Sequence, residues 1–304
     1  PRRAHPPRPF LPSFRSPFSP LSRPCRLEMR ITHKTTAVIT GGANGIGLAL
    51  SRHIVEKGGR VLVLDIVDSK VQSCAMESLI SPGPLVGSAH YLQFDVTSDL
   101  AGHEKMWDRA LEILRTDRID LMVNNAGVLE HKGFYSNEPE SAKVLQERSR
   151  EFDRVMEINV LGVIRGTKVA MARMRDQGGG LIINVASSAG LYPMDAAPVY
   201  TASKWAVVGF SRSVAKAAAV SNVRLFTICP TFADTVMGQA AADNPTTQSV
   251  VVQLGGLMPV DRVVMGFKKI FEDDEDPAAL KGTGGVLLVN NKKILYQHPR
   301  RGKL

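Results

Sequence analysis

From residue 34 onward, the chain alternates short runs of β-branched and other apolar residues with longer segments of helical periodicity. This alternation is typical of βαβ units, in which helical crossovers place successive strands side by side in a parallel sheet. Strands are predicted at residues 36–40, 61–65, 90–94, 121–124, 181–185, 223–229 and 285–289. We therefore expect an α/β fold in which residues 29–304 form a single doubly wound domain around a seven-stranded parallel sheet.

Composition excludes several other classes of protein. The 304 residues are 44% hydrophobic and 22% charged, which is ordinary for a globular chain with a large core. No segment approaches the roughly 18 uninterrupted apolar residues of a membrane-spanning helix. Cys25, Cys74 and Cys229 have neither the number nor the spacing of a disulfide framework or a zinc site. We therefore expect a protein without a metal site in a reducing compartment, most simply the cytosol.

The formal net charge of +9 is concentrated at the amino-terminal end. Residues 1–28 contain six arginines and one acid, so the other 276 residues carry only +4. This leader is rich in proline, which removes backbone donors, and we expect it to be disordered. Three interpretations of it stay open: an organelle transit peptide, a basic arm for an acidic surface, or residues that precede a translation start at Met29.

Three further segments lack a clear strand or helix pattern. Residues 130–147 are polar and predict a loop or insertion, whereas residues 232–257 mix small and apolar residues and predict a mobile lid. The last eight residues are basic and are expected to be frayed. The final tripeptide Gly302-Lys303-Leu304 differs from the peroxisomal address Ser-Lys-Leu at its first position, which leaves peroxisomal import as an alternative to the cytosol.

The first predicted strand runs directly into a glycine-rich turn and then into a helical segment. The turn contains Gly41, Asn44, Gly45, Ile46 and Gly47. Glycines in such a turn let the backbone approach a pyrophosphate, and the amino terminus of the helix supplies amide donors and a favourable dipole. A strand, a glycine-rich turn and a helix in this order predict a Rossmann-type dinucleotide site.

Polar residues at the ends of later strands extend this predicted site. Asp65 ends the second strand, 18 residues after Gly47, where a carboxylate can accept hydrogen bonds from an adenosine ribose. Its charge would repel the 2′-phosphate of NADP, so NAD is the predicted cofactor. The other predicted contacts at strand ends are Asp95, Val96, Asn125, Ala126 and Gly127.

A tyrosine and a lysine open a long apolar helical segment. Tyr200 and Lys204 are four residues apart and therefore lie on one face of a helix, where the ammonium can stabilise a phenolate. A free phenol has a pKa of about 10, too high for an efficient base near neutrality. Ser187 follows a predicted strand 13 residues before the tyrosine, where its hydroxyl can bond a substrate oxygen.

The order and spacing of these motifs resemble the short-chain dehydrogenase/reductase family, from residue 34 to about residue 296. The matching motifs are Thr40-Gly41-x-x-x-Gly45-x-Gly47, Asn124-Asn125-Ala126-Gly127, Ile158-Asn159, Ser187 and Tyr200-x-x-x-Lys204. The resemblance implies an NAD-dependent oxidoreductase that interconverts a secondary alcohol and its ketone by hydride transfer. It also implies a homodimer or homotetramer paired through helices at residues 148–174 and 200–220, and no nucleic-acid partner.

The same resemblance implies a role for each residue of the catalytic set. Tyr200 is the general base that takes the alcohol proton, and Ser187, rather than its neighbour Ser188, orients the reacting oxygen. Lys204 lowers the pKa of Tyr200 and holds the nicotinamide ribose, while Asn159 positions a water in the proton relay. The implied contacts to the nicotinamide half of the cofactor are Tyr200, Lys204, Pro230 and Thr235.

The substrate pocket is predicted to be apolar. Its expected lining is Ser187, Tyr192, Met194, Phe232 and Met237. A hydrophobic secondary alcohol or ketone is then the expected substrate. Thr231 departs from the usual family pattern, because it replaces the glycine that follows Pro230 and adds a side chain beside the nicotinamide. An NAD-binding sensor or scaffold protein with little catalytic activity is the alternative function.

Overall fold

A computed structural model describes residues 29–68, 87–130, 134, 141–272 and 283–297. The predicted leader at residues 1–28, the cysteines Cys25 and Cys74, and the final tripeptide all lie outside these ranges. Within the described part of the chain, no helix has the length and apolar character needed to cross a membrane.

Strands and helices alternate along the chain as predicted. The strands are β1 Thr36–Thr40, β2 Arg60–Asp65, β3 Ser88–Gln93, β4 Leu121–Asn124, β5 Gly180–Val185, β6 Val223–Pro230, β7 Thr283–Val289 and β8 Ile294–Tyr296. The helices are α1 Gly45–Glu56, α2 Leu100–Leu114, α3 Ala142–Met156, α4 Val163–Asp176, α5 Pro198–Val220, α6 Val236–Asp243, α7 Pro245–Gln253 and α8 Val260–Glu272. A π-helical turn, Glu157–Gly162, joins α3 to α4.

One sheet contains all of these strands in the order β3-β2-β1-β4-β5-β6-β7-β8. The first seven pair in parallel, as expected of a doubly wound α/β fold. The seven predicted parallel strands are confirmed, and β8, which was not predicted, adds an eighth strand that pairs antiparallel with β7 at one edge. A tight turn after β7 reverses the chain and places Tyr296 against Phe226, so the edge strand also buries apolar surface.

Helices cover both faces of the sheet. Alternate residues of β1 show this, because Ile39 packs with α1 and α8 on one face while Val38 packs with α2 and α4 on the other. The strand order reverses between β1 and β4, and the carboxyl ends of these two strands therefore open onto a crevice. Crevices at such a reversal are where open α/β sheets bind ligands.

Two segments that were predicted as irregular contain helices. The segment 130–147 includes the start of α3, whose first turn is capped by Ser141 accepting a hydrogen bond from the Val144 amide. The segment 232–257 contains α6 and α7. Ser141 caps α3 and Thr235 caps α6, so polar side chains that the sequence pattern assigned to loops begin helices instead.

Candidate active site

The glycine-rich turn between β1 and α1 forms a cradle that leaves no room for side chains. Gly41 has a φ of +60°, and a Cβ there would lie 2.8 Å from the Cα of Ala126. A Cβ on Gly47 would lie 2.4 Å from the carbonyl oxygen of Gly41. Gly47 therefore packs helix against strand and does not line the cleft itself, whereas Gly41, Asn44, Gly45 and Ile46 do.

The first turn of α1 is built to receive an anion. Its N-cap residue, Asn44, makes no side-chain capping bond, and no acid lies in the first turn. The first amides of a helix have no intrahelical partner and carry the positive end of the helix dipole. The cradle and these amides together fit a dinucleotide pyrophosphate.

Asp65 and Asn125 hold this turn in place from two sides. The Asp65 carboxylate accepts hydrogen bonds from the amides of Ala43 at 3.2 Å and Ile66 at 2.8 Å. Asn125 donates from its side chain to the carbonyl oxygens of Thr40 and Gly41, at 3.0 and 2.9 Å. Both residues line the cleft, but the amide group of Asn125 is already engaged by the turn. The Asn125 amide group therefore holds the glycine-rich turn, and its contact to the cofactor stays a prediction.

The predicted adenine end of the cleft lies after β3. Asp95 accepts hydrogen bonds from the amide and hydroxyl of Thr97, both at 2.9 Å. The Val96 carbonyl lies 3.1 Å from Nε2 of the buried His103. Burial lowers the pKa of His103, so the neutral ring donates to Val96 near neutrality. The sequence analysis did not single out His103. It lies seven residues after Val96 in a helical segment, and nothing in the sequence pattern indicates that its ring contacts the Val96 carbonyl.

Tyr200, Ser187 and Lys204 meet at the other end of the crevice. Tyr200 and Lys204 lie one turn apart on α5, and the Lys204 ammonium is 5.4 Å from the centre of the Tyr200 ring. Lys204 also donates to the Val185 carbonyl at 3.1 Å. The Ser187 side chain hydrogen bonds the Tyr200 phenol. The structure therefore brings together the three groups that were predicted to do the chemistry.

Burial dominates the electrostatics of these groups. It raises the pKa of Tyr200 to about 12, and the hydrogen bond from Ser187 opposes this rise. It lowers the pKa of Lys204 to about 8. Lys204 is not among the causes of the Tyr200 shift, so the predicted lowering of the Tyr200 pKa by Lys204 is not seen, and the loss of solvent around the phenol dominates. Any further positive charge brought into the site would favour the phenolate.

Asn159 lies in the π-helical turn and joins two parts of the site. Its side chain exchanges two hydrogen bonds with the backbone of Val128, at 2.8 and 2.9 Å, and donates to Ser203 at 3.0 Å. A Cβ on Gly127 would lie 3.3 Å from Asn159 Oδ1 and 3.4 Å from Lys204 Nζ. Asn159 therefore holds the chain after β4 against helix α5, and its part in a proton relay stays a prediction.

A cavity of about 380 Å³ opens beside Tyr200. All five residues of the predicted substrate pocket line it: Ser187, Tyr192, Met194, Phe232 and Met237. Pro230 lies there as well. Ile46, Asn125, Leu129, Thr235 and Met237 line both this cavity and the cofactor cleft. The cavity and the cofactor cleft are therefore adjacent. Hydride transfer between a bound substrate and a bound cofactor requires such an arrangement.

The segment predicted as a lid covers this junction. Thr235 caps α6 by accepting a hydrogen bond from the Gly238 amide at 3.1 Å. A Cβ on Gly45 would lie 2.9 Å from the Thr235 side chain. The first turn of α6 thus lies directly on the glycine-rich turn.

Glu130 is a buried acid that sequence reasoning placed in a polar loop. It is only 5% exposed, and its carboxylate accepts hydrogen bonds from the amides of Val199 and Tyr200, at 3.2 and 2.5 Å. Helix α5 has Ala197 at its N-cap, without a side-chain capping bond. Glu130 therefore caps helix α5, which carries Tyr200 and Lys204, from a distant part of the chain. Burial raises its pKa.

We expect Glu130→Ala to lower kcat by roughly ten- to a hundredfold, because a small displacement of helix α5 misplaces the phenol. The lost cap also leaves buried amides unpaired, which costs about 1–3 kcal/mol of unfolding free energy. Glu130→Gln no longer buries a charge and keeps an acceptor for one of the two amides, so its loss of kcat should be smaller than that of Glu130→Ala. Steady-state kinetics and thermal unfolding measure both effects.

The matched control is Ser141→Ala, which removes the cap of α3 without touching Tyr200. It should lose stability but keep kcat. Equal kcat in Glu130→Ala and Ser141→Ala, measured where both are folded, would contradict a positioning role for Glu130.

Comparison with known proteins places this geometry in a family. The family model for short chain dehydrogenase matches residues 35–246. Human 15-hydroxyprostaglandin dehydrogenase [NAD(+)] is 32% identical over 78% of this chain and 86% of its own length. Cyclopentanol dehydrogenase of a Comamonas species is 34% identical over 72% of this chain and 80% of its own length. The solved structure of levodione reductase is 25% identical, covers 86% of this chain and 97% of that chain, and superposes with a TM-score of 0.70. The chain therefore belongs to the short-chain dehydrogenase family.

Proposed function

We propose that this protein is an NAD-dependent dehydrogenase that interconverts a hydrophobic secondary alcohol and its ketone. The observation that carries the proposal is the meeting of Tyr200, Ser187 and Lys204 at the boundary between an apolar cavity and the cofactor cleft. Its relatives include proteins with the names 15-hydroxyprostaglandin dehydrogenase [NAD(+)] and cyclopentanol dehydrogenase. These names support an alcohol as the substrate.

Each residue of the set has a separate task in the proposed reaction. In the oxidation direction, the Tyr200 phenolate accepts the hydroxyl proton while the carbon–hydrogen bond breaks with its electron pair, which leaves a carbonyl group. The Ser187 hydroxyl hydrogen bonds the reacting oxygen. The Lys204 ammonium stabilises the phenolate. In the reduction direction, the protonated phenol donates the same proton.

NAD is the cofactor that the cleft suits best. The anion-binding turn of α1 would hold the pyrophosphate, and Asp65 would accept hydrogen bonds from the adenosine ribose. When bound, the oxidised nicotinamide supplies the hydride acceptor and a positive charge beside the tyrosine. The Asp65 carboxylate would also face the extra phosphate of NADP, and the resulting repulsion would disfavour NADP.

The apolar lining of the cavity supports a hydrophobic substrate. Met194, Phe232 and Met237 offer no hydrogen bonds to a sugar-like molecule, so polar polyols would lose their hydration without replacement. Thr231, which is bulkier than the glycine usual at this position, also lines the cavity next to Pro230. This extra bulk favours substrates that are slender near the reacting carbon.

The proposal is tested by incubating the full chain with NAD or NADP and following reduced-cofactor absorbance with secondary alcohols of increasing chain length. We expect turnover with NAD, at least tenfold lower kcat/KM with NADP, and kcat/KM that rises with chain length. A preference for NADP would contradict the role of Asp65. Binding of NAD without turnover of any alcohol would instead support the sensor or scaffold alternative.

Assembly and location also remain proposals. The helices expected to pair carry exposed apolar side chains, including Met156 on α3 and Trp205 on α5, which are 37% and 50% exposed. These side chains support the proposed homodimer or homotetramer. The cytosol stays the proposed compartment, and fluorescence imaging of the tagged full chain would separate it from organelle or peroxisomal import.

A further inference from the structure

The substrate cavity has a polar group far from the catalytic residues. Asn290 follows β7 and lines the same cavity as Tyr200 and Ser187. Lys204 is the only charged side chain among the described residues of the lining, and it is engaged with the Val185 carbonyl. The end of the cavity at Asn290 is therefore polar but uncharged.

The orientation of the Asn290 amide is fixed by its neighbours. Its Oδ1 atom accepts hydrogen bonds from the amides of Lys292 and Lys293, at 2.9 and 2.7 Å. Only the oxygen of an amide side chain can accept these bonds, so the Nδ2 group is turned away from the two amides. No hydrogen bond from Nδ2 to the described residues is present, which leaves two donors for a ligand.

The backbone around this amide is held just as firmly. Asn290 donates from its backbone amide to the Lys293 carbonyl at 3.0 Å, and its own carbonyl accepts from Arg262 Nε at 2.6 Å. The next residue, Asn291, donates to the carbonyl of Gly255 at 3.1 Å and so ties the turn to the end of the predicted lid. A donor fixed in this way binds with little loss of conformational entropy.

The pairing of the strands gives the distance between Ser187 and Asn290, the polar residues at the two ends of the cavity. Ser187 lies beside Pro230 at the end of β6, with its hydroxyl 3.5 Å from the Pro230 carbonyl. Pro230 pairs with Val289, and Asn290 is the next residue. Because neighbouring strands are about 4.8 Å apart, two spacings separate the backbones of Ser187 and Asn290 by about 10 Å.

We propose that Asn290 binds a second oxygen of the substrate. This proposal rests on the proposed function and deepens it. The substrate is then an uncharged, mainly apolar molecule with an ether, carbonyl or hydroxyl oxygen about 10 Å from the reacting alcohol. A donor built into an apolar cavity discriminates strongly against an analogue that leaves it unpaired.

The test compares decan-2-ol with its 9-methoxy derivative, using the full chain and NAD. The wild-type protein should favour the ether by at least tenfold in kcat/KM. Asn290→Asp keeps an oxygen for the two turn amides and replaces the donor by a second acceptor. The ratio of kcat/KM for the ether to kcat/KM for decan-2-ol should fall by at least tenfold in this variant, and kcat/KM for the 9-amino analogue relative to decan-2-ol should rise by at least tenfold. These expected ratios follow from loss or reversal of one hydrogen-bond partner.

Asn222→Asp is the matched control, since it makes the same change after α5, where the side chain bonds the Gly178 carbonyl. It should leave kcat/KM for all three substrates as in the wild type. Equal losses on decan-2-ol and the ether in Asn290→Asp, or no wild-type preference, would overturn the assignment.

Thermal stabilisation by each alcohol in the presence of NAD tests the subsite without turnover. If the ether raises the Tm of the wild type more than decan-2-ol does, and this difference is abolished in Asn290→Asp, the subsite is supported. Equal rises in Tm with the two compounds in the wild type would overturn it. Absent turnover together with this discrimination would contradict only the proposed function.

Discussion

Tyr200→Phe is expected to lower kcat for alcohol oxidation by about a thousandfold or more, because general acid–base catalysis typically contributes 10²–10⁴-fold. Phenylalanine fills the same volume, so the cavity and the cofactor cleft should keep their shape. NAD binding, followed by equilibrium dialysis or calorimetry, should weaken by no more than about tenfold, which is the loss of one hydrogen bond to the cofactor. Loss of activity with retained cofactor binding is therefore the expected signature.

Tyr296→Phe provides a matched control for this substitution. Tyr296 is another buried tyrosine, but it lies on edge strand β8, against Phe226. Its replacement should leave kcat within about twofold. If Tyr200→Phe kept more than a tenth of the wild-type kcat, another group would have to move the proton, and the assignment of Tyr200 as the base would be wrong.

Lys204→Met is expected to abolish useful turnover while raising stability. The Lys204 side chain is only 3% exposed, and no acid of the described chain pairs with it. Burial lowers its pKa from 10.5 to about 8, so the folded state disfavours the ammonium. One unit of pKa corresponds to about 1.4 kcal/mol, and the unpaired Val185 carbonyl offsets part of the gain, which leaves roughly 2 kcal/mol of added stability near pH 7.

This gain should depend on pH in a defined direction. Between about pH 8 and 10.5, Lys204 is protonated in the unfolded chain and neutral in the folded chain. The contribution of Lys204 to the unfolding free energy of the wild type therefore rises with pH across this range. The advantage of Lys204→Met should be full below pH 8 and shrink as pH rises through that window. Denaturant unfolding at pH 7 and pH 9.5 measures it.

Lys216→Met supplies the control, because Lys216 lies exposed on the same helix. Its replacement should change stability by less than about 0.5 kcal/mol and leave activity intact. A Lys204→Met protein less stable than the wild type at pH 7 would show that the ammonium makes a net favourable interaction in the folded state.

The sequence by itself determined most of the fold because its signals are local. Strand β1, the glycine-rich turn and helix α1 follow one another directly, so propensity and steric need act on neighbouring residues. The one-turn spacing of Tyr200 and Lys204 is likewise a property of a single helix. These elements all formed as predicted, with strand boundaries displaced by two residues or fewer.

Tertiary structure decided what depends on contacts between distant segments. Glu130 precedes Tyr200 by 70 residues, and nothing in its polar surroundings signals that it caps helix α5. The engagement of Asn125 by the glycine-rich turn and the orientation of Asn290 depend on partners brought close only by packing. The antiparallel edge strand β8 depends on burial of Tyr296 against Phe226. A sequence pattern reports a residue's own preferences; the partner of a buried polar group is chosen by the folded chain, because only there does leaving that group unpaired cost free energy.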